Sequence, residues 1–143
     1  TSAAYIIMNG EQYSGSTVHI MEEEVDKGDI IIQSKVILTK FDTIRSMQRK
    51  VYNEEPDLLL SAINKISEGF TPKPQNELES ISYPLRRRPE DSEIDPTKSL
   101  LELYDNIRAC DPKDFPSFFF LDGEKVCISL WRDDKKGDEI DTI

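Results

Sequence analysis

The chain has a single histidine, His19, and Asp26 follows it seven residues later. An imidazole and a carboxylate can orient one another or pass a proton, so any His–Asp chemistry here uses this pair or borrows a histidine from elsewhere. Each residue also has a plainer role. A histidine on the strand face opposite Val18 and Ile20 is as a rule packed or hydrogen-bonded, and an aspartate ahead of Lys-Gly-Asp stabilises a turn. The acidic run Glu22, Glu23, Glu24 and Asp26 offers carboxylates to a hard cation. Its spacing matches no calcium loop and it lacks the glycine an EF-hand needs, so a solvated, self-repelling loop is expected and no metal site. Arg86, Arg87 and Arg88 can grip a phosphate bidentately, or pair with some of the 28 acidic side chains. Phe118, Phe119 and Phe120 read as hairpin packing rather than a base-stacking platform. Cys110 and Cys127 are too far apart for a metal knuckle and suit a reducing, cytoplasmic compartment. The chain has no glycine-rich phosphate loop, Gly-x-Ser-x-Gly elbow, Cys-x-x-Cys or His-Glu-x-x-His.

Those residues need elements to position them. Ala3, Ala4, Ile6, Ile7 and Met8, closed by Gly10, predict the end of a helix that begins upstream. Gly15 to Glu22 alternates as a strand does, and Ile30 to Leu38, dense in β-branched residues, reads as a second, buried strand. Together they make a strand–loop–strand unit with the acidic loop at one end. Asp42 or Thr43 caps a helix with Ile44, Met47 and Val51 on its apolar face. Pro56 is expected to break or kink it, after which Leu59, Ile63 and Ile66 continue the stripe to Gly69. Leu100, Leu103, Tyr104 and Ile107 lie at helical spacing, started by a Ser99–Glu102 capping box or by Asp95 with Pro96. Asp122-Gly123 between Phe118–Leu121 and Lys125–Trp131 predicts a hairpin with a type I′ turn.

Composition bounds the class. The chain has 143 residues, 37% of them hydrophobic and 8% aromatic, enough for one small core plus an appendage. Eighteen basic side chains against 28 acidic ones leave a formal charge of −10, which argues against a nucleic-acid-binding surface. No apolar run approaches the roughly 18 residues of a membrane span. Five of the eight prolines fall in residues 72–97, predicting an extended linker lying against the surface between residues 1–71 and 98–143.

The order of these pieces resembles the folate-dependent formyltransferase family. The resemblance is carried by Asn9-Gly10-Glu11, Ser14-Gly15-Ser16-Thr17-Val18-His19-Ile20-Met21 and Val25-Asp26-Lys27-Gly28-Asp29-Ile30-Ile31. It continues through Arg87-Arg88-Pro89-Glu90-Asp91-Ser92-Glu93-Ile94-Asp95, through Tyr104–Pro112, and through Phe115-Pro116 and Leu121–Val126. It implies an α/β fold: the C-terminal part of a mostly parallel twisted sheet flanked by helices, then a small helix-and-hairpin extension. It also implies transfer of a formyl group from 10-formyltetrahydrofolate to a primary amine. In the family an Asn-x-His pair stabilises the developing oxyanion and shuttles the proton, and an acidic-loop aspartate orients that histidine. Asp26 falls on that aspartate, and His19 on a second family histidine that is not the catalytic one. The backbone of Glu23, Glu24 and Val25 would line the pterin pocket.

None of the five asparagines stands two residues before His19, so the Asn-x-His is missing. The numbering starts at Thr1, and the chain is expected to be the C-terminal portion of a longer enzyme, inactive by itself. Residues 93–143 hold thirteen acids against seven bases, and that surplus would repel tRNA. A nucleotide-linked amino sugar is therefore the favoured acceptor, with Arg86, Arg87 and Arg88 toward its phosphates and a homodimer through the apolar hairpin. A methionyl-tRNA formyltransferase and a non-catalytic fragment or binding module are the alternatives.

Overall fold

The computed structural model describes residues 2–76, 83 and 87–133. Helix α1 (Ser2–Met8) is followed by β1 (Tyr13–Ser14), β2 (Thr17–His19), β3 (Ile30–Gln33) and β4 (Val36–Ile37). Then come α2 (Ile44–Ser67), a 3-10 turn (Pro89–Ser92), α3 (Leu100–Arg108), β5 (Ser117–Leu121) and β6 (Glu124–Ile128). The chain divides into two units. The first holds Thr1–Gln12, Leu38–Arg49 and Tyr83–Ile143; the second holds Tyr13–Ile37 and Lys50–Ser82.

The second unit is built on one interrupted hairpin. β1 pairs with β4 and β2 with β3, both antiparallel. Between the two ladders the arms part at residues 15–16 and 34–35, where Ser34 N–H donates to Ser16 O and Ser16 N–H to the Ser34 hydroxyl. Gly15 is required there, since a Cβ would stand 2.1 Å from the Ser34 carbonyl oxygen. The expected single strand Ile30–Leu38 is thus two strands, and the expected Gly15–Glu22 strand shrinks to Thr17–His19. A register shift between Val18 and His19, opposite the extra residue Ile31, ends the strict alternation. Val18 and His19 are both half-buried as a result.

The expected parallel sheet is not found among the described residues. The three sheets are antiparallel pairs, and the lone parallel contact is an isolated bridge from Glu93 to Phe118. The reason is connection length. Parallel neighbours need a crossover of a dozen or more residues, whereas the connections between β1 and β4 are short loops that return the chain antiparallel. What stands is a mixed α/β chain.

α2 departs from expectation at Pro56, which lies inside a continuous helix. The carbonyl released by the missing Pro56 N–H belongs to Tyr52, an exposed residue whose backbone water can serve. Continuity has a consequence for the buried face. The 3.6-residue phase set by Met47 and Val51 carries through to Leu58 and Ala62, which are 8% and 3% exposed. The expected stripe Leu59, Ile63, Ile66 is rotated away, at 53%, 65% and 44% exposed. Had the helix restarted after Pro56, its phase would have been free to place that stripe inward. The start of α2 settles the capping alternative in favour of Thr43. Its hydroxyl accepts from Ser46 N–H at 3.4 Å while the Ser46 hydroxyl accepts from Thr43 N–H at 2.9 Å. Asp42 buttresses this from behind, taking the Ser46 hydroxyl at 2.8 Å and Thr39 N–H at 2.7 Å.

In the first unit, Ile94, Leu103 and Ile107 form a core onto which Phe119, Ile128 and Leu130 pack. α3 starts at the Ser99 cap. Glu102 returns the capping box by accepting Ser99 N–H at 3.0 Å, and those bonds to Ser99 hold its carboxyl below the usual range. Asp95, the rival cap, instead takes the hydroxyl and N–H of Thr97. The β5–β6 hairpin turns at Asp122-Gly123 with φ of 51° and 86°, both positive as a type I′ turn requires. The segment ahead of α3 adds to the hairpin: Ile94 N–H donates to Phe118 O at 2.8 Å. No helix among the described residues is long and apolar enough to cross a membrane.

Candidate functional site

The loop between β2 and β3, residues 20–29, carries Asp26 and is closed at its base by Ile20 N–H donating to Asp29 O at 2.9 Å. Gly28 allows that closure. A Cβ on it would lie 1.7 Å from the Ile20 carbonyl oxygen and 3.1 Å from His19 Nδ1. Gln75 ties the far side down, its amide donating to Asp26 O at 2.8 Å and Gly28 O at 2.7 Å. Asp26 itself sits at φ 60°, a left-handed conformation that aspartate tolerates better than most residues. Its carboxylate is 89% exposed, with Oδ1 3.9 Å from His19 Nε2. His19 Nδ1 lies 2.7 Å from Ile20 O and therefore carries the proton of that hydrogen bond, leaving Nε2 turned to Asp26 beyond hydrogen-bond distance.

The spacing of seven residues thus does bring His19 and Asp26 together, because the loop folds back across its own base. It leaves Glu23, Glu24 and Val25 at the exposed tip. That tip bends through a turn at Val25 and Asp26. Gly28→Ala should therefore displace the loop and lower stability by about 2 kcal/mol, as overpacking against backbone does. A lowered thermal midpoint checks this; an unchanged one would mean that the loop is not closed as described.

The arginine segment belongs to the other unit. Arg86 lies outside the described residues. Arg87 is anchored: its Nη2 donates to Asp91 O at 3.0 Å, the Ser92 hydroxyl at 3.3 Å and Cys110 Sγ at 3.2 Å. Arg88 is exposed and gives only its backbone N–H, to Asp91 Oδ2 at 2.6 Å. Both side chains line a cleft of about 410 Å³ inside the first unit. Asp111, on the same wall, was not singled out by sequence. Arg45 grips it with two guanidinium nitrogens, and the N–H groups of Lys113 and Asp114 add bonds at 2.8 and 3.2 Å. Burial pushes this carboxyl up, but the Arg45 and backbone bonds outweigh it and hold it below the usual range, while Asp111 raises Arg45. The signal that would have found it is Asp-Pro-Lys-Asp after α3, where an aspartate accepts from the next turn's N–H groups.

Residues 2–63 match the formyl transferase family model. Methionyl-tRNA formyltransferase of Lactococcus lactis is 33% identical over 138 residues, covering 95% of this chain and 41% of that protein. A 4-N formyltransferase from Francisella tularensis superimposes with a TM-score of 0.73 at 30% identity, over 90% of this chain and 54% of that one. HypX from Aquifex aeolicus, solved in complex with tetrahydrofolic acid, shares the fold at 23% identity and a TM-score of 0.70, over 87% of this chain and 22% of that one. The chain spans less than half the length of the curated relatives it matches. These likenesses support a member of the formyltransferase family.

Proposed function

We propose that the whole protein moves a formyl group from 10-formyltetrahydrofolate to the primary amine of a nucleotide-linked amino sugar, in the cytoplasm. The observation that carries this is the loop that holds Asp26 beside His19 within a formyltransferase chain. Asp26 is the positioning carboxylate for a catalytic histidine contributed by sequence outside these 143 residues, since no Asn-x-His is present here. The exposed loop tip of Glu23, Glu24 and Val25 holds the pterin, whose carrier supplies the formyl group. Tetrahydrofolic acid bound to HypX supports that assignment. Arg87 and Arg88 meet the sugar nucleotide's phosphates, with Arg86 beside them in sequence. The hairpin, with Phe120 and Trp131 exposed at 53% and 82%, forms a homodimer contact.

Two observations favour the sugar acceptor over tRNA: the surplus of acids in residues 93–143, and the likeness to a sugar N-formyltransferase from Shewanella, 26% identical with a TM-score of 0.70. The tRNA reading has support of its own, since the curated relatives are methionyl-tRNA formyltransferases at up to 33% identity. The 143 residues alone are expected to be inactive. The test is formylation by the whole protein of UDP- and dTDP-linked amino sugars and of charged initiator tRNA, each with 10-formyltetrahydrofolate. Turnover on a sugar nucleotide with none on tRNA is the expected result, and the reverse selects the tRNA enzyme.

A further inference from the structure

Residues 71–75 read Thr-Pro-Lys-Pro-Gln, and that spacing presets a shape. Each proline fixes its own φ and drives the residue before it toward the extended region, so Thr71 and Lys73 are held straight before any contact forms. Lys73 then lies antiparallel to the start of β3. Ile30 N–H donates to Lys73 O at 2.7 Å, and Lys73 N–H to Ile30 O at 2.9 Å. Carried on by two residues, that register sets Gln75 opposite Gly28. From there its Nε2 donates to Gly28 O at 2.7 Å and to Asp26 O at 2.8 Å. Two carbonyl acceptors fix which end of the carboxamide faces the loop, since only the NH2 end can donate twice.

The loop needs such a hold. Glu22, Glu23, Glu24, Asp26 and Asp29 are all exposed, with Lys27 the one base among them, and their mutual repulsion favours an open loop. Asp26 is also kept at φ 60°, a region that residues with a Cβ rarely adopt. We propose that Gln75 is a positioning residue for formyl transfer: its amide locks the Asp26–Gly28 turn and so sets where the Asp26 carboxylate stands. It acts through Asp26 and not by touching a reactant. This rests on the role given to Asp26 above, and holds whether a sugar nucleotide or tRNA takes the formyl group. Because it works through that one carboxylate, its removal can cost kcat no more than removal of the Asp26 charge does.

The experiment is a double-mutant cycle in the whole protein, with Gln75→Ala and Asp26→Asn singly and together, assayed on whichever acceptor is turned over. Both Gln75 bonds reach backbone carbonyls, so Asp26→Asn leaves them in place. Gln75→Ala is expected to lower kcat at least about 10-fold in the parent, short of the roughly 100-fold cost of a misplaced group. On top of Asp26→Asn it should lower kcat less than about 2-fold, since residues that act as a unit are not additive. An equal loss in both backgrounds, the mark of a merely structural role, overturns the proposal, as does an unaltered kcat in Gln75→Ala. Gln75→Glu keeps the length but sets carboxylate oxygens against two carbonyls, and is expected to lose at least as much. Parental kcat in that variant also overturns it. Amide exchange at Ile20, Ile30 and Lys73, whose N–H groups are hydrogen-bonded at the loop base, gives a readout independent of turnover. Gln75→Ala should speed it at least about 5-fold, the scale of one net hydrogen bond, and unchanged exchange overturns the lock. Faster exchange in a protein that transfers no formyl group keeps the lock and sinks the role given to Asp26 instead.

Discussion

Asp26→Asn in the whole enzyme is expected to lower kcat at least about 100-fold, the usual scale for a group that serves acid–base chemistry. The substitution isolates the charge. Asparagine occupies the left-handed region as readily as aspartate, so the φ of 60° is retained. The Gln75 bond reaches the Asp26 backbone carbonyl and survives unchanged. Asp26→Ala would confound the reading, because alanine resists positive φ and the loop would shift with the charge. Steady-state kinetics should therefore show a kcat loss with an unaltered thermal midpoint. Near-normal turnover in Asp26→Asn would return the residue to a turn-former and nothing more.

Arg108→Ala is expected to cost about 3 kcal/mol of stability, read as a lower denaturant midpoint. Arg108 is 6% exposed at the end of α3 and ties that helix to the segment ahead of α2 in the first unit. Its Nε donates to Asp105 Oδ1 at 2.6 Å, and its Nη1 to Asp42 O at 2.7 Å, just ahead of the α2 cap. Asp42 has no exposed surface, so truncation leaves its carbonyl buried without that donor and removes the arginine's packed stem. Arg108→Lys should recover only part, since a single ammonium cannot span Asp105 and the Asp42 carbonyl as the guanidinium fork does. A variant as stable as the parent would show that the Asp42 carbonyl finds another donor.

Local signals carried further in this chain than long-range ones, and particular residues show why. The type I′ turn at Asp122-Gly123 and the Ser99–Glu102 capping box were legible because each depends on residues three or four apart. The α2 stripe was misplaced by one residue. The stripe was continued through Leu59 and Ile63, whereas the unbroken helix around Pro56 buries Leu58 and Ala62, one position earlier. Ile30–Leu38 read as one strand because β-branched density does not reveal where Ser34 must turn to meet Ser16.

The candidate site divides the same way. Sequence by itself determined that one histidine and one acidic loop exist, that no Asn-x-His accompanies them, and that the order of motifs is that of the formyltransferases. It also determined the surplus of acids that weighs against a polyanionic acceptor. Only the tertiary structure decided that the loop folds back far enough to put Asp26 within 3.9 Å of His19. Only it could show that Arg87 and Arg88 go without carboxylate partners among the described residues, while Asp111 is claimed by an arginine 66 residues away in the chain. Pairing across such distances is set by how helices and loops pack, and composition lists the charges without saying which of them meet.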